Sequence, residues 1–506
     1  FVSVFFFSIQ LNAKSFGTNL NTPPVLSNFR VEVSNPDRVY FDSSEPISAS
    51  NVTGFTVSLK KITSISIVSG ATAGHYFKVS NPFTNWDNNS RRYEGGSDLV
   101  DTDGNKLENF TITYIENTIP EPATSKDYYV SVSGNDSNSG LSESDAWRTL
   151  KKAALSARSG STVWVKAGNY GKEVIRNNNN GNAKNPIKFI GYENSTGDIN
   201  SMYYTYKNST IAPSKMPLFD GGNRGSGTMW DLVSSKYIII KNMQFRNYRR
   251  VLRAASPSGI VIENVLIKDI GDVRSNDGLG IYFESSSAAA NDIKVLNTTI
   301  INATADGIFL SGQGNLVKDS KVYTNEAPGG LNDMDATTDY YFLMRGSNNI
   351  MRGLLAYKDT PHGYGHSGHG FSLKAMDTRT EYNLIDHCEA VGILGSIEFR
   401  HPEVKYNVAK DCISRGDIPN VRSGEYSTGG PNFQHGGSNN IVERILVHDV
   451  SAGILFHLNR EDQTGNGCNN NIVRNSVFYN MSHKVIWYEN ASKVNAVSSG
   501  NKILNN

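Results

Sequence analysis

Cysteine is almost absent, and three residues in a chain of 506 exclude a fold stapled by disulfides. Charge of one sign is missing as well. Lys and Arg number 49 against 48 Asp and Glu, a formal net charge of +1, so no overall field recruits nucleic acid. Proline is scarce, 16 residues beside 46 glycines, a balance that suits tight turns better than disorder. Long apolar runs are confined to the beginning. There Phe1-VSVFFFSIQLNAKSFG has the apolar core and small-residue end of a secretory signal peptide. It is too short and too poorly flanked to span a bilayer. Residues 1–18 are therefore set apart from the fold. The remainder is expected outside a bacterial cell or on its surface, as a monomer.

Helical periodicity is the last absence, and a repeat replaces it. From Tyr237 onward one unit recurs: an Asn-rich turn, an alternating apolar strand, Asn or Asp, then a second strand. Tyr237-IIIKNMQFRN, Gly259-IVIENVLIKD, Asp292-IKVLNTTIIN, Tyr382-NLIDHCEAVG, Tyr406-NVAKDCISRG and Asn470-NIVRNSVFYN are copies. They place Asn242, Asn264, Asn297, Asp319, His387, Asp411 and Asn475 in one column. The gaps are roughly 22 to 34 residues, the range of solenoid repeats. Strand-rich units with polar turns predict a parallel β-helix, whose coils stack about 4.8 Å apart. Equivalent residues then become neighbours on a flat face. Cys388 and Cys412 share such a position, within reach of each other as free thiols or as a disulfide. Cys468 lies in an Asn/Gly turn without a partner.

Residues 19–117 read differently, as short strands broken by turn chemistry, which predicts a β-sandwich. Val39-YFDSSEPISASNVTGFTV and Asp98-LVDTDGNKLENFTITY resemble the bacterial Ig-like domains attached to secreted enzymes. That resemblance implies a spacer or accessory domain, with carbohydrate binding as the alternative. Residues 118–126 are a Pro-containing linker, and 127–506 form the solenoid. Its opening, Asp127-YYVSVSGNDSNSGLSESDAWRTLKKAALSARSGSTVWVKAGNYG, predicts a strand, a polar loop, a helix from Ala146 to Ala157, and a strand. This resembles the N-terminal cap of secreted right-handed parallel β-helix proteins, where a helix shields the open edge of the first coil. The expected fold class is all-β: a right-handed parallel β-helix, pectin-lyase-like, preceded by a small Ig-like β-sandwich. Lys502-ILNN begins a further strand, and the chain is expected to continue past both of its ends.

The second strands of successive units stack as Gly280-IYFE, Gly307-IFLS, Tyr340-YFLM, Gly370-FSLK, Ser396-IEFR, Asn432-FQHG, Gly453-ILFH and Val485-IWYE. Period-two alternation turns Ile281, Ile308, Phe371, Ile397, Phe433, Ile454 and Ile486 inward. One outward column then reads Tyr282, Phe309, Phe342, Ser372, Glu398, Gln434, Leu455, Trp487. The other reads Glu284, Ser311, Met344, Lys374, Arg400, Gly436, His457, Glu489. Lys374 and Arg400 fall side by side. Two cations about 5 Å apart repel unless an anion lies between or above them. Glu398 offsets part of that repulsion, and a purely structural ion cluster is one reading. The surroundings favour a site: His362, His366, His369, His387 and His401 place half of the ten histidines within forty residues. His387 belongs to the turn column and is expected to pack there.

Gly370-FSLKAM followed by Gly392-ILGSIEFRHPEVKYNVAKDCIS resembles the core of the alginate lyase and chondroitinase B family of β-helix polysaccharide lyases. That family carries a Lys on one strand and an Arg-His pair on the next. The resemblance implies that Lys374 abstracts the C5 proton of a uronic acid. Arg400 would be the acid or charge stabiliser, with Glu398, His369 and His401 beside them. His366, Ser372, Gln434, His435, His457, Phe342 and Arg345 would line the subsites for an anionic polysaccharide. The acidic pair that holds Ca²⁺ before the Lys strand in that family is replaced here by histidines.

One coil earlier, Asn332-DMDATTD supplies Asp333, Asp335 and Asp339. Asp333 and Asp335 are candidate Ca²⁺ ligands, Asp339 a turn cap, and no other cofactor is expected. Asp333 or Asp335 opposite Glu398 also makes an acid and base for hydrolysis of an anionic or sulfated glycan of carrageenan or fucan type. Three functions follow: a polysaccharide lyase, a glycoside hydrolase, and a non-catalytic glycan-binding or adhesin β-helix.

Overall fold

From Lys126 onward the chain climbs in parallel rungs. The computed structural model describes residues 23–57, 59–93, 98–108, 110–176, 179–199, 210–272, 277–284, 291–325, 338–359, 368–375, 379–393, 395–416, 428–457, 467–489 and 498–506. Each regular coil gives two strands to a 22-stranded sheet and one to an 11-stranded sheet. One coil, for example, runs Leu384–Asp386, Glu389–Val391 and Gly395–Arg400. The fold is a parallel β-helix filled by one continuous apolar core. Inside it Phe342 stacks on Phe371 at 5.5 Å, and Phe399 on Phe433 at 5.4 Å.

The turn column has a backbone cause. Asn242, Asn264, Asn297, Asp319, His387, Asp411 and Asn475 all have positive φ, the region that Asn and Asp tolerate best among side-chain-bearing residues. These residues bend the chain between the two strands of the large sheet. Register extends the column to Gly353 (φ 64°) and Arg444 (φ 51°), two rungs that residue type alone conceals.

A second asparagine file runs inside the wall. Asn315, Asn349, Asn383, Asn407, Asn440 and Asn471 are at most 1% exposed. The backbone N–H of Asn383 donates to Asn407 Oδ1 at 2.9 Å, that of Asn407 to Asn440 Oδ1 at 3.1 Å, and that of Asn440 to Asn471 Oδ1 at 3.0 Å. The ladder satisfies backbone donors that a buried turn otherwise strands. Asn407→Ala leaves several of these groups unpaired, and we expect a loss of about 1–3 kcal/mol, read as a lower urea midpoint. An unchanged midpoint would show that the file carries no stability.

The cap helix spans Leu150–Ser156, shorter than the sequence suggests. Trp147 is held extended, its N–H donating to Tyr129 O at 2.9 Å and its carbonyl accepting from Ser131 N at 2.9 Å. Thr149 and the Glu173 carboxylate then accept the first helical N–H groups, as N-terminal caps do. The buried thiols of Cys388, Cys412 and Cys468 are free, which settles the pair left open above. Among the described residues no helix is long and apolar enough to cross a membrane.

Seven strands between Leu26 and Asn117 form a separate sheet with its own core around Phe41, Phe55 and Phe77. This module is seated on the 22-stranded face. Ile112 packs on the outward stripe Leu316, Ile350, Leu384 and Val408. Trp86 Nε1 donates to Ala183 O at 2.9 Å, and Lys410 Nζ to Thr113 Oγ1 at 3.0 Å. The connecting segment is tied down too, with Glu121 paired to Lys241 at 2.7 Å. The apolar stripe explains the docking, since an outward Leu/Ile/Val file on a sheet needs a cover.

Candidate functional site

The 11-stranded sheet carries the chemistry. Lys374 and Arg400, on strands His369–Lys374 and Gly395–Arg400, are register partners on adjacent rungs. Between them reaches a residue of the preceding rung that sequence reading missed. Tyr340 Oη accepts from Lys374 Nζ at 3.0 Å and from Arg400 Nη1 at 2.9 Å. The ammonium also lies 4.9 Å from the centre of the Tyr340 ring, and that ring stacks on His369 at 4.6 Å.

Neither cation forms an ion pair among the described residues, and the buried Arg400 Nε has no hydrogen-bond partner there. Burial, followed by Arg400 and Arg345, pulls the Lys374 amine down to about 8. Burial pushes the Tyr340 phenol up, against the pull of Arg400, so it keeps its proton.

Glu398 lies under this cluster at 0% exposure. Its Oε1 is 2.7 Å from His369 Nδ1 and 3.2 Å from Gln434 Nε2, while Oε2 accepts from Ser372 Oγ at 2.6 Å. Burial opposes its ionisation, but His369, Arg400 and Ser372 outweigh burial and hold the carboxyl at about 2. Burial likewise opposes the His369 imidazolium, but Glu398 and then Asp339 raise it above the usual histidine value. A Cβ at Gly395 would overlap the Glu398 carboxylate, so the glycine that opens this strand makes room for the buried charge.

Several expectations need correction. Glu398, expected as a catalytic group, is sealed from the groove and orients His369 instead. Ser372 and Gln434, expected to touch substrate, are spent on Glu398. Phe342 points into the core, because Leu343 rather than Phe342 pairs with Ser372. The strand Tyr340–Arg345 lacks the opening glycine and clear alternation, so sequence cannot choose its register, and a slip of one residue exchanges the faces. The same slip brings Arg345, not Met344, level with Lys374. Strand Pro431–Gln434 is displaced by two: Asn432 pairs with Glu398, and Gln434 with Arg400.

His401 leaves its strand at φ 91°, and its ring lies 6.0 Å from that of His435. Neither histidine is among the residues lining the groove described next. His362, His366, Asp333, Asp335 and the side chain of His457 lie outside the described residues.

Beside Lys374 and Tyr340 opens a groove of about 480 Å³, lined by Arg249, Arg250, Asp306, Asp339, Arg345 and Tyr282 among others. Burial, then Asp339, pushes the Asp306 carboxyl up to about 7. Arg345 lies 4.7 Å over Phe309 and 3.6 Å from Glu284. Among the described residues, none of the N-terminal module lines this groove.

On the opposite sheet Asp386, His387 and Asp411 bring possible metal-ligand atoms within 4.8 Å of one another. Their carboxylates are already engaged. Arg352 pairs with Asp386, and Arg444 grips both oxygens of Asp411 at 2.8 and 2.9 Å. The cluster is an ion-pair ladder, and His387 is a turn residue (φ 52°).

A family model described as "Protein of unknown function (DUF1565)" matches residues 132–356. No curated protein matches the chain in sequence. Among solved structures, the GH136 lacto-N-biosidase from Eubacterium ramulus is similar at 14% identity, covering 75% of this chain and 68% of that one, with a TM-score of 0.46. The alginate lyase from Paenibacillus sp. str. FPU-7 is similar at 14% identity, over 73% of this chain and 99% of that one, TM-score 0.40. Pectate lyase Pel9A is similar at 14%, over 73% and 80%, TM-score 0.38. The functional reading therefore rests on the side chains of this groove.

Proposed function

We propose that the chain is an exported polysaccharide lyase that cleaves a uronate-containing glycan by β-elimination in the groove beside Lys374. The observation that carries this reading is the convergence of Lys374 and Arg400 on one point, with no carboxylate among the described residues paired to either. A buried Arg400 and a partly buried Lys374, neither in an ion pair among the described residues, call for an anion, and a uronate carboxylate supplies it.

Neutral Lys374 removes the proton at C5. The electrons pass into the carboxyl group as an enolate, whose charge Arg400 neutralises. They then form the C4=C5 double bond as the C4–O bond breaks. Arg249, Arg250 and Arg345 line the same groove and suit a polymer charged along its length. The apolar N-terminal stretch supports export to where such polymers occur.

A second reading has its own observation. Asp306 and Asp339 line the same groove, and the Asp306 carboxyl, pushed up to about 7, holds its proton to higher pH than an ordinary carboxyl, as an acid for glycoside hydrolysis requires. One measurement separates the two. With alginate, pectate, chondroitin, carrageenan and fucan as substrates, reducing ends and the ultraviolet absorbance of unsaturated product are recorded together across pH.

A lyase with Lys374 as base gains rate as pH rises through about 8, because the amine must lose its proton. A hydrolase with Asp306 as acid loses rate as pH rises through about 7. New reducing ends without unsaturated product would reject the lyase.

A further inference from the structure

Resting on the lyase reading, the geometry assigns Tyr340 as the catalytic acid that protonates the leaving glycosidic oxygen. The phenol oxygen already accepts from Lys374 Nζ and Arg400 Nη1. An oxygen with two lone pairs so used has its own O–H left to donate. Among the described residues no acceptor lies within reach of that proton. Tyr340 lines the groove, and its ring is fixed by the stack on His369, itself held by Glu398.

Arg400 is poorly suited to the task. Guanidinium does not give up a proton in proteins, so its part is to neutralise the uronate and the enolate.

The proton account closes without solvent. Lys374 takes the C5 proton and becomes ammonium. The C5 electron pair forms C4=C5, the C4–O pair leaves with the glycosidic oxygen, and that oxygen takes the Tyr340 proton. The resulting phenolate sits between ammonium and guanidinium and is reprotonated by Lys374 across their 3.0 Å hydrogen bond. The base is neutral again, and the C5 proton has in effect moved to the leaving group. Burial keeps the phenol protonated at rest, the form an acid needs.

The test uses Tyr340→Phe, which keeps the ring on His369 and removes only the hydroxyl. It is assayed on the polysaccharide of the panel that the wild type cleaves, and on a 4-O-(2,4-dinitrophenyl) uronoside of the same sugar, whose leaving group needs no proton. We expect kcat on the polysaccharide to fall by about 10²–10⁴-fold, with the activated substrate turned over within a few-fold of wild type.

Equal losses on both substrates, or no loss on either, would overturn the assignment while leaving the lyase intact. Absence of unsaturated product from the wild type on every substrate would remove the lyase reading and the assignment together. If Tyr340→Phe fails to fold, 3-fluorotyrosine at position 340 keeps both ring and hydroxyl. The more acidic phenol should move the alkaline limb of the rate to lower pH, and an unmoved limb would reject the role.

Discussion

Lys374→Ala should abolish cleavage, lowering kcat/KM by about 10²–10⁴-fold, the range for loss of a general base, while the melting temperature stays level or rises. Loss of activity and retention of fold come from the same observation. Lys374 is a partly buried cation whose near neighbours are the cations Arg400 and Arg345, and burial with their repulsion brings its amine to about 8. Removing it relieves repulsion and breaks only its bond to Tyr340. A side chain kept against its own electrostatic interest is explained by a substrate anion and a need for a neutral amine. Turnover and thermal melting of the same preparation decide it. Wild-type turnover by the variant would eliminate Lys374 as base, and a large drop in melting temperature would make it a structural residue.

Glu398→Ala should behave in the opposite way and cost about 3–5 kcal/mol, the penalty for stripping one partner from a buried charged network. At 0% exposure its carboxylate is reached by His369, Ser372 and Gln434, and its removal strands all three donors. Activity should fall as well, because His369 no longer supports the Tyr340 ring.

The sign of the pH dependence follows from the direction of each shift. Glu398 is depressed, so its stabilisation is complete above the ordinary carboxylate range and is lost as pH falls toward about 2. His369 is raised, so its share is complete below the ordinary histidine value and is lost as pH rises through its elevated one. Urea midpoints of wild type and Glu398→Ala between pH 2 and 9 test both limbs. A variant as stable as wild type would show that the network carries no folding energy.

The two results together mark how far residues could be read in order. The solenoid was legible because a left-handed turn at each coil selects Asn, Asp or glycine, and the interior asparagine file repeats at the same interval. The pairing of Lys374 with Arg400 followed from Gly370-FSLK and Ser396-IEFR, two strands with clear alternation. Tyr340 escaped notice because Tyr340-YFLMR is apolar at nearly every position, so neither face is distinguished. Glu398 looked like an exposed carboxylate, since nothing in a strand's alternation tells whether the outward face is covered by its neighbours. Asp306 lies two rungs from Lys374, and Arg249 just before a strand four rungs away, neither within a motif of its own.

By itself, then, the order of residues determined the winding of the chain and the rungs that share a column, because backbone geometry repeats with the coil and acts over a few residues. Which side chains meet across rungs, and which of them are buried or facing a groove, was decided only by the assembled cylinder. The reach of a tyrosine between two cations, the sealing of a glutamate under a histidine, and the seating of the N-terminal module on an apolar stripe all depend on register and burial. Both arise from packing between segments far apart in the chain, where local pattern has no hold.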